Sequence, residues 1–537
     1  MAQTLIEKIA QRHAVDRASP REVRAGEFLS VRPVHVMTHD NTAAVIPKFR
    51  AMGAARIYDP RQPVFALDHD IQNTSADNLA KYARIQQFAA EQGVDFYPAG
   101  RGIGHQVMVE EGYVLPGTLV VGSDSHSNLY GALAALGTPV VRTDAAAIWA
   151  TGITWWQVPD IVRVTLTGKT RAGVVGKDVI IALCGIFNHD EVLNCCIEFD
   201  GPGVASLSIE ERMTIANMTT EWGALAGVFP YDEVTSEYLR RRAAAFAERG
   251  DEKPRITEAL VDSFDRDPPK ADPDAQYAKE LELDLSAVAP YVSGPNTVKT
   301  ITPLAEIEAR RERIDKAYLM SCVNGRLQDF AAAADVARGR RVADGVEFYI
   351  AAASDEVQRQ AQKLGYWKTL LDAGAIELPP GCGACIGLGA GTLEAGEVGI
   401  SATNRNFKGR MGSRDAFVYL ASPAVVTASA IAGHIASPQS LAGGCAPEPP
   451  DPKRTEAARC RINERAARDD AEPTEILAGF PDRIEGQLLF VPADNLNTDG
   501  IYGKDYTYKE GMTPQQMAAV AMENYDPQFQ SLARDGD

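Results

Sequence analysis

No apolar run in this chain of 537 residues reaches 18 residues, about the least a helix needs to cross a hydrocarbon core, so no membrane-spanning segment is expected. Basic charge is in short supply: 54 Lys+Arg stand against 72 Asp+Glu, a formal net charge of −18. Such a field repels phosphate backbones and anionic membrane surfaces, which disfavours nucleic acid as a partner. An acidic small molecule is not excluded, because a few arginines in a cleft outweigh distant charge. The opening stretch MAQTLIEKIAQRHAVDR has no unbroken apolar core of a secretory signal, and its Glu7 and Asp16 do not suit a transit peptide. The expected location is therefore cytoplasmic, where the eight cysteines are thiols or metal ligands rather than disulfides. No internal repeat stands out either.

What is present reads as a soluble globular chain, 45% hydrophobic and 23% charged, too long for a single hydrophobic core. Through the first 160 residues short apolar runs such as FLSVRPVHV, VFALDHD and TLVVGSDSH alternate with helical stretches, the cadence of an α/β fold. Polar residues follow several of these strands, as in Asp68-His69 and Asp124-Ser125-His126. The carboxyl ends of strands are where open α/β sheets bind ligands. IVRVTLTG (161–168) alternates Val162, Val164 and Leu166 with polar neighbours, a half-buried strand.

The resulting partition is an α/β domain over 1–160, a second over 161–290 and a third over 291–440. The polar, Pro-rich tract around 250–285 is placed on the surface. SPAVVTASAIAGHI predicts a helix with Ser422 as N-cap and Pro423 at its first position. A linker is expected over 441–483, wandering over the surface, because it is low in large apolar residues and rich in proline and charge. Residues 484–537 restart strand–turn–helix patterning, too briefly for a core of their own.

PPGCGACIGLG (379–389) sets Cys382 and Cys385 in a C-x-x-C spacing among glycines. A zinc site needs two more ligands at close spacing, and neither a second C-x-x-C nor an H-x₃₋₅-H exists. A thioredoxin-like pair belongs at the head of a helix in a small βαβ unit, unlike this position. Three thiolates on a [4Fe–4S] cluster would leave one iron without a protein ligand, and Cys322 in MSCVNGR, with 59 residues between it and Cys382, offers a third thiol in loop-like surroundings. Cys184 in VIIALCGIF reads as a core thiol, and Cys195, Cys196, Cys445 and Cys460 carry no ligand spacing. GLGAGT (387–392) lacks the third glycine of a dinucleotide turn. His13, His189 and His434 are read as structural or surface residues.

The set SCVNG and GCGACIGLG, together with MTHDN (37–41), LDHD (67–70), GIGHQ (102–106), GSDSHSN (122–128), NMTTEWGA (217–224) and NRNFKGR (404–410), resembles the aconitase superfamily, in the family's own order. The resemblance is strongest to homoaconitases and the large subunit of 3-isopropylmalate dehydratase, with homoaconitases nearer through TDAAAIWATG, NMTTEWGA and ADNLNTDGIY. It implies three α/β/α domains around a central cleft, followed by a linker and the start of a swivelling domain. The implied activity is a hydro-lyase that moves a hydroxyl between adjacent carbons of a small polycarboxylate, in amino-acid biosynthesis. The implied cofactor is a [4Fe–4S] cluster on Cys322, Cys382 and Cys385.

Carried over residue by residue, the resemblance makes His69 the acid that protonates the leaving hydroxyl, with Asp68 holding its ring. Asp124 and His126, together with His105 paired with Glu221, would order a water. Arg405 and Arg410 would grip carboxylates, with Asn404, Asn324 and Ser125 as neutral neighbours. The family also uses a serine in a GSSRE-like loop as base. No such loop follows ADNLNTDGIY here, so that serine is expected from a separate small subunit or from a missing swivel domain. Two other functions on the same fold are a cluster-sensing RNA-binding regulator and an inactive scaffold. The net charge of −18 opposes the first and the intact Asp68, His69 and three cysteines oppose the second.

Overall fold

The computed structural model describes residues 2–15, 22–445 and 458–463, with short stretches between 483 and 533. Residues 1–465 form one compact unit and 466–537 another. The first unit is mixed α/β and holds three larger sheets. The first is parallel throughout, with spatial order Asp95–Tyr97, Pro63–Ala66, His35–Thr38, Leu119–Gly122, Leu136–Pro139. Its central strand and that strand's two neighbours end just before His39, Asp68 and Asp124, so those side chains emerge together at the carboxyl edge. A small antiparallel sheet of Ala14–Val15, Phe28–Val31 and Thr154–Gln157 is also present.

In the second sheet the strand Ile161–Thr167 is flanked by Cys196–Asp200 and Lys279–Asp284, all parallel. Val162, Val164 and Leu166 are fully buried, as the alternation predicts, each contributing roughly 1.5–3 kcal/mol of apolar burial. The third sheet has seven strands. Phe417–Leu420, Val398–Ser401, Lys316–Leu319, Glu347–Ile350 and Ile376–Glu377 run parallel, and Tyr291–Ser293 and Ile301–Pro303 join antiparallel. Cys322 and Asn404 follow two adjacent strands of this sheet. The helix Pro423–Ala432 starts at Ser422 with Pro423 in its first turn and stops at Gly433, whose φ of 75° is left-handed.

Two segments depart from expectation. The tract 250–285 is not a plain surface excursion: it forms the helix Glu258–Arg266, with Val261 buried, and then the strand Lys279–Asp284 inside the second sheet. Only Leu281 and Leu283 of that strand enter the core, too weak a pattern to stand out among its charges. Within the expected linker, Arg459–Ile462 adds an antiparallel edge strand to the same sheet, satisfying backbone groups that a wandering loop would leave to water. The rest of that linker lies outside the described residues. The described residues of 484–537 include the short helices Thr498–Ile501, Pro514–Ala518 and Phe529–Leu532 and no strand. No described helix is long and apolar enough to cross a membrane.

Candidate active site

At the edge of the first sheet, His69 Nδ1 faces Asp68 Oδ1 at 2.5 Å, and Asp68 Oδ2 accepts the Gly104 N–H at 2.7 Å. Asp40 accepts the backbone N–H groups of Asp68 and His69 at 3.0 and 2.7 Å and the Tyr82 hydroxyl, which fixes the turn that presents His69. Burial alone would strip the proton from His69. The charges of Asp68, Asp124 and Asp40 overrule it and push the imidazolium up to about 9. His39 stacks on His69 with ring centroids 3.8 Å apart and planes 11° from parallel. Burial and the adjacent His69 charge hold His39 down to about 4, so the lower ring is neutral.

Asp124 is the hub. Its Oδ1 accepts from His105 Nε2 at 2.8 Å and from the His126 backbone N–H at 2.8 Å, and lies 3.2 Å from His126 Nδ1. Its Oδ2 lies 3.6 Å from His69 Nε2. Burial would raise this carboxyl, but the bonds from His105 and His126 hold it well below the usual carboxylate range. His105 is fixed from behind by Tyr130, whose hydroxyl lies 3.0 Å from Nδ1. The far nitrogen of His126 meets Glu221 Oε1 at 3.2 Å, and Glu221 in turn takes Arg405 Nε. The expected pairing of His105 with Glu221 is thus corrected: His105 pairs with Asp124 and Glu221 with His126, because Glu221 projects from the helix Ile209–Trp222 of the second sheet's layer.

The three cysteines come from two loops of the third sheet's layer and share the cavity lined by Asp68, His69, His105, Asp124 and His126. The loop of Cys382 and Cys385 is tied to the first sheet: the Cys382 N–H donates to the Asp68 carbonyl at 2.7 Å and the Gly383 N–H to the His69 carbonyl at 3.3 Å. Gly381 is required there, since a Cβ would sit 2.5 Å from Ile71 and 2.9 Å from the Asp68 carbonyl. Ser321, just before Cys322, has φ of 92°, a strained conformation for a residue with a side chain. Cys322 Sγ accepts from the side-chain amides of Asn217 at 3.1 Å and Asn404 at 3.5 Å, and Asn404 Oδ1 lies 3.5 Å from Cys385 Sγ. Burial pushes all three thiols up.

Among the described residues, the groups convergent enough for a single ion are His39–Asp40–Asp68–His69 and His105–Asp124–His126. The cysteines belong to neither. Four-coordinate zinc with bonds of about 2.3 Å would draw its sulfurs to roughly 4 Å of one another.

Asn404 and Arg410 also line the cavity, and the Arg410 Nε is buried without a partner among the described residues. Glu221 and Arg405 stand just outside it, behind His126. Two predicted residues are not brought to it. Asn324 turns its amide to Asp329 at 3.0 Å, bracing the turn after Cys322, and the Ser125 carbonyl accepts from Thr220 Oγ1 at 2.7 Å, facing that residue's backbone toward the helix. Sequence reasoning missed His39, Asp40, Asn217, Lys177 and Arg326. His39 and Asp40 lie in MTHDN and Asn217 in NMTTEWGA, so the motifs were visible but not their roles.

Residues 7–433 match the model of the Aconitase family (aconitate hydratase). Among the relatives is the mitochondrial homoaconitase of Yarrowia lipolytica, 55% identical over 540 residues, spanning 100% of this chain and 78% of the relative. That of Eremothecium gossypii is 57% identical over 541 residues, with the same 100% and 78%. That of Cryptococcus neoformans is 55% identical over 553 residues, spanning 99% and 75%. These names overturn the cytoplasmic expectation and point to the mitochondrion; the composition of a folded body carries no record of its compartment. With one family model matched over most of its length and such relatives along all of it, the chain belongs to the aconitase family, close to homoaconitase, and is an aconitase-type hydro-lyase.

Proposed function

We propose that this chain is the cluster-bearing body of a homoaconitase-type enzyme, holding a [4Fe–4S] cluster on Cys322, Cys382 and Cys385 and isomerising a small hydroxy polycarboxylate by dehydration and rehydration. The observation that carries the reading is the meeting of three buried thiols with a protonated His69 in one cavity. The donor set fits the group: the sulfurs are too spread for one ion, and the amides of Asn217 and Asn404 are aimed at Cys322 Sγ, where they favour an anionic sulfur. Bound there, a cluster with one iron free of protein ligands supplies a Lewis acid for a hydroxyl and a carboxylate oxygen.

The side chains do the rest. His69 donates the Nε2 proton to the departing hydroxyl, while Asp68 fixes Nδ1 and stabilises the ring's charge. Asp124, held by His105 and His126, orients the water that leaves and returns. Arg410, with its unpartnered Nε, and Asn404 receive substrate carboxylate oxygens, a task suited to a planar guanidinium. Arg405, fastened to Glu221 through Nε, keeps its terminal nitrogens for the same purpose. We place the proton-abstracting serine on a swivel domain outside these 537 residues, which hold no GSSRE-like loop and span 78% of the homoaconitases of Yarrowia lipolytica and Eremothecium gossypii; a separate small subunit or the remainder of a longer chain would supply it.

Anaerobic reconstitution with iron and sulfide tests this. The expected result is four irons on the wild-type chain, lost in Cys322→Ala, and hydration of cis-homoaconitate in preference to isopropylmaleate once a swivel-domain protein is added. Zinc at Cys382 and Cys385 with Cys322 dispensable would overturn the cluster. Full turnover by these residues alone would overturn the placement of the base.

A further inference from the structure

Two cations, Lys177 and Arg326, lie inside the protein beside the cysteines and play no part in the scheme above. Lys177 is 0% exposed, on the helix Gly176–Ile186 of the second sheet's layer. Its ammonium donates to the carbonyl of Ala402 at 3.1 Å and to that of Thr403, crossing to the third sheet's layer. The next residue is Asn404, whose amide touches the sulfurs of Cys322 and Cys385. Arg326, 3% exposed, sends Nη2 to the Cys322 carbonyl at 2.5 Å and Nη1 to the Val323 carbonyl at 2.7 Å. It also reaches Thr214 Oγ1 at 3.4 Å and Gln106 Oε1 at 3.3 Å.

Every one of these acceptors is neutral. Asp329, the nearest candidate to neutralise Arg326, accepts its backbone N–H instead, at 2.9 Å, and the Asn324 amide at 3.0 Å. Glu221, Asp329 and Asp178 act on Lys177 only from a distance. A buried cation with no carboxylate against it is costly, and native interiors rarely keep one without an anion to balance it. Among the acidic groups that act on these cations, Cys385 comes after Glu221 for Lys177 and Cys322 after Asp329 for Arg326, and Arg326 is tied to the Cys322 backbone directly.

We infer that Lys177 and Arg326 are positioning residues whose buried charges balance the thiolates of the cysteine centre, Lys177 through the Ala402–Asn404 turn and Arg326 through the Cys322 carbonyl. The inference rests on the cluster reading above. Its consequence is a division between two states. With the thiols protonated the cations have only neutral hydrogen-bond acceptors and distant carboxylates, and destabilise the fold; with the centre loaded they stabilise it and favour the reduced, more negative form.

The test compares wild type, Lys177→Met, Arg326→Met and Arg326→Lys as full chains, with and without reconstituted iron and sulfide. For Lys177→Met the expected results are an apo unfolding midpoint at or above wild type, iron loss to a chelator about 10- to 100-fold faster, and a more negative midpoint potential. Arg326→Lys, which keeps the charge, retains iron better than Arg326→Met. A lowered apo midpoint in Lys177→Met with unchanged iron loss and potential would make it a packing residue and overturn the inference. Wild type that takes up no iron fails the cluster reading itself, a result separable from one in which wild type loads and the variants match it.

Discussion

His69 carries its proton because three carboxylates surround it, and the neutral ring of His39 stacked beneath lets it do so without a second cation in contact. A histidine whose folded-state value rises from 6.5 to about 9 stabilises the fold fully below pH 6.5 and loses that contribution as pH climbs through 9. The unfolding free energy of wild type minus that of His69→Gln is therefore expected to shrink by roughly 3 kcal/mol between about pH 6.5 and 9. Urea titrations across that range check it, and a difference that grows with pH would contradict the assignment. At this scale the sequence is legible only where the chemistry is local. Asp68 and His69 are neighbours in the chain, and Cys382 and Cys385 share a loop, so their spacing speaks. Lys177 sits in KDVIIALCG, which reads as a buried helix, and nothing near it announces that its ammonium reaches residues 402 and 403.

Elements hold the site by crossing between layers. Arg242, on the helix Glu233–Arg249, donates to the Glu110 carbonyl through Nη2 at 2.6 Å and Nε at 3.0 Å, and to Glu356 Oε1 at 2.5 Å. Glu110 ends the helix Gly104–Glu110 that begins beside Asp68 and carries His105, and Ser354 bonds its carboxylate at 2.5 Å. Arg242→Ala leaves a buried carbonyl unpaired and Glu356 with the Gln360 amide at 3.3 Å in place of the guanidinium, so a loss of about 2–4 kcal/mol is expected in equilibrium denaturation. A loss below 0.5 kcal/mol, the range of an ordinary surface change, would show that the crossing does not hold the layers. Elements with clear local signals were readable: Ile161–Thr167 alternates, and Pro423–Ala432 has its leading proline and its glycine stop, although Ser422 makes no side-chain capping bond. Lys279–Asp284 and Arg459–Ile462 were not, because partner strands select them through backbone pairing while their side chains stay largely polar.

At the scale of the molecule, the site exists only where three layers meet. The first sheet gives Asp68, His69, His105, Asp124 and His126, the second layer gives Asn217 and Glu221, and the third gives the cysteines, Asn404 and Arg410. A group bound by the cysteines, whose loop is hydrogen-bonded to Asp68 and His69, joins the first layer to the third, and the Asn217 amide on Cys322 Sγ brings in the second. Loading should therefore stabilise residues 1–465 as one body, by about 4 kcal/mol if iron and sulfide saturate the site a thousandfold above dissociation. Calorimetry of the reconstituted chain before and after anaerobic chelation checks this. The expected outcome is a single transition for that unit, moved to lower temperature as a whole when the iron is withdrawn. Two transitions of which one stays in place would mean that the layers unfold separately and that the bound group braces the third layer alone. The acidic surface needs no part in this: a net charge of −18 is spread over the whole chain, whereas Arg410 lines the cavity with its Nε unpartnered among the described residues.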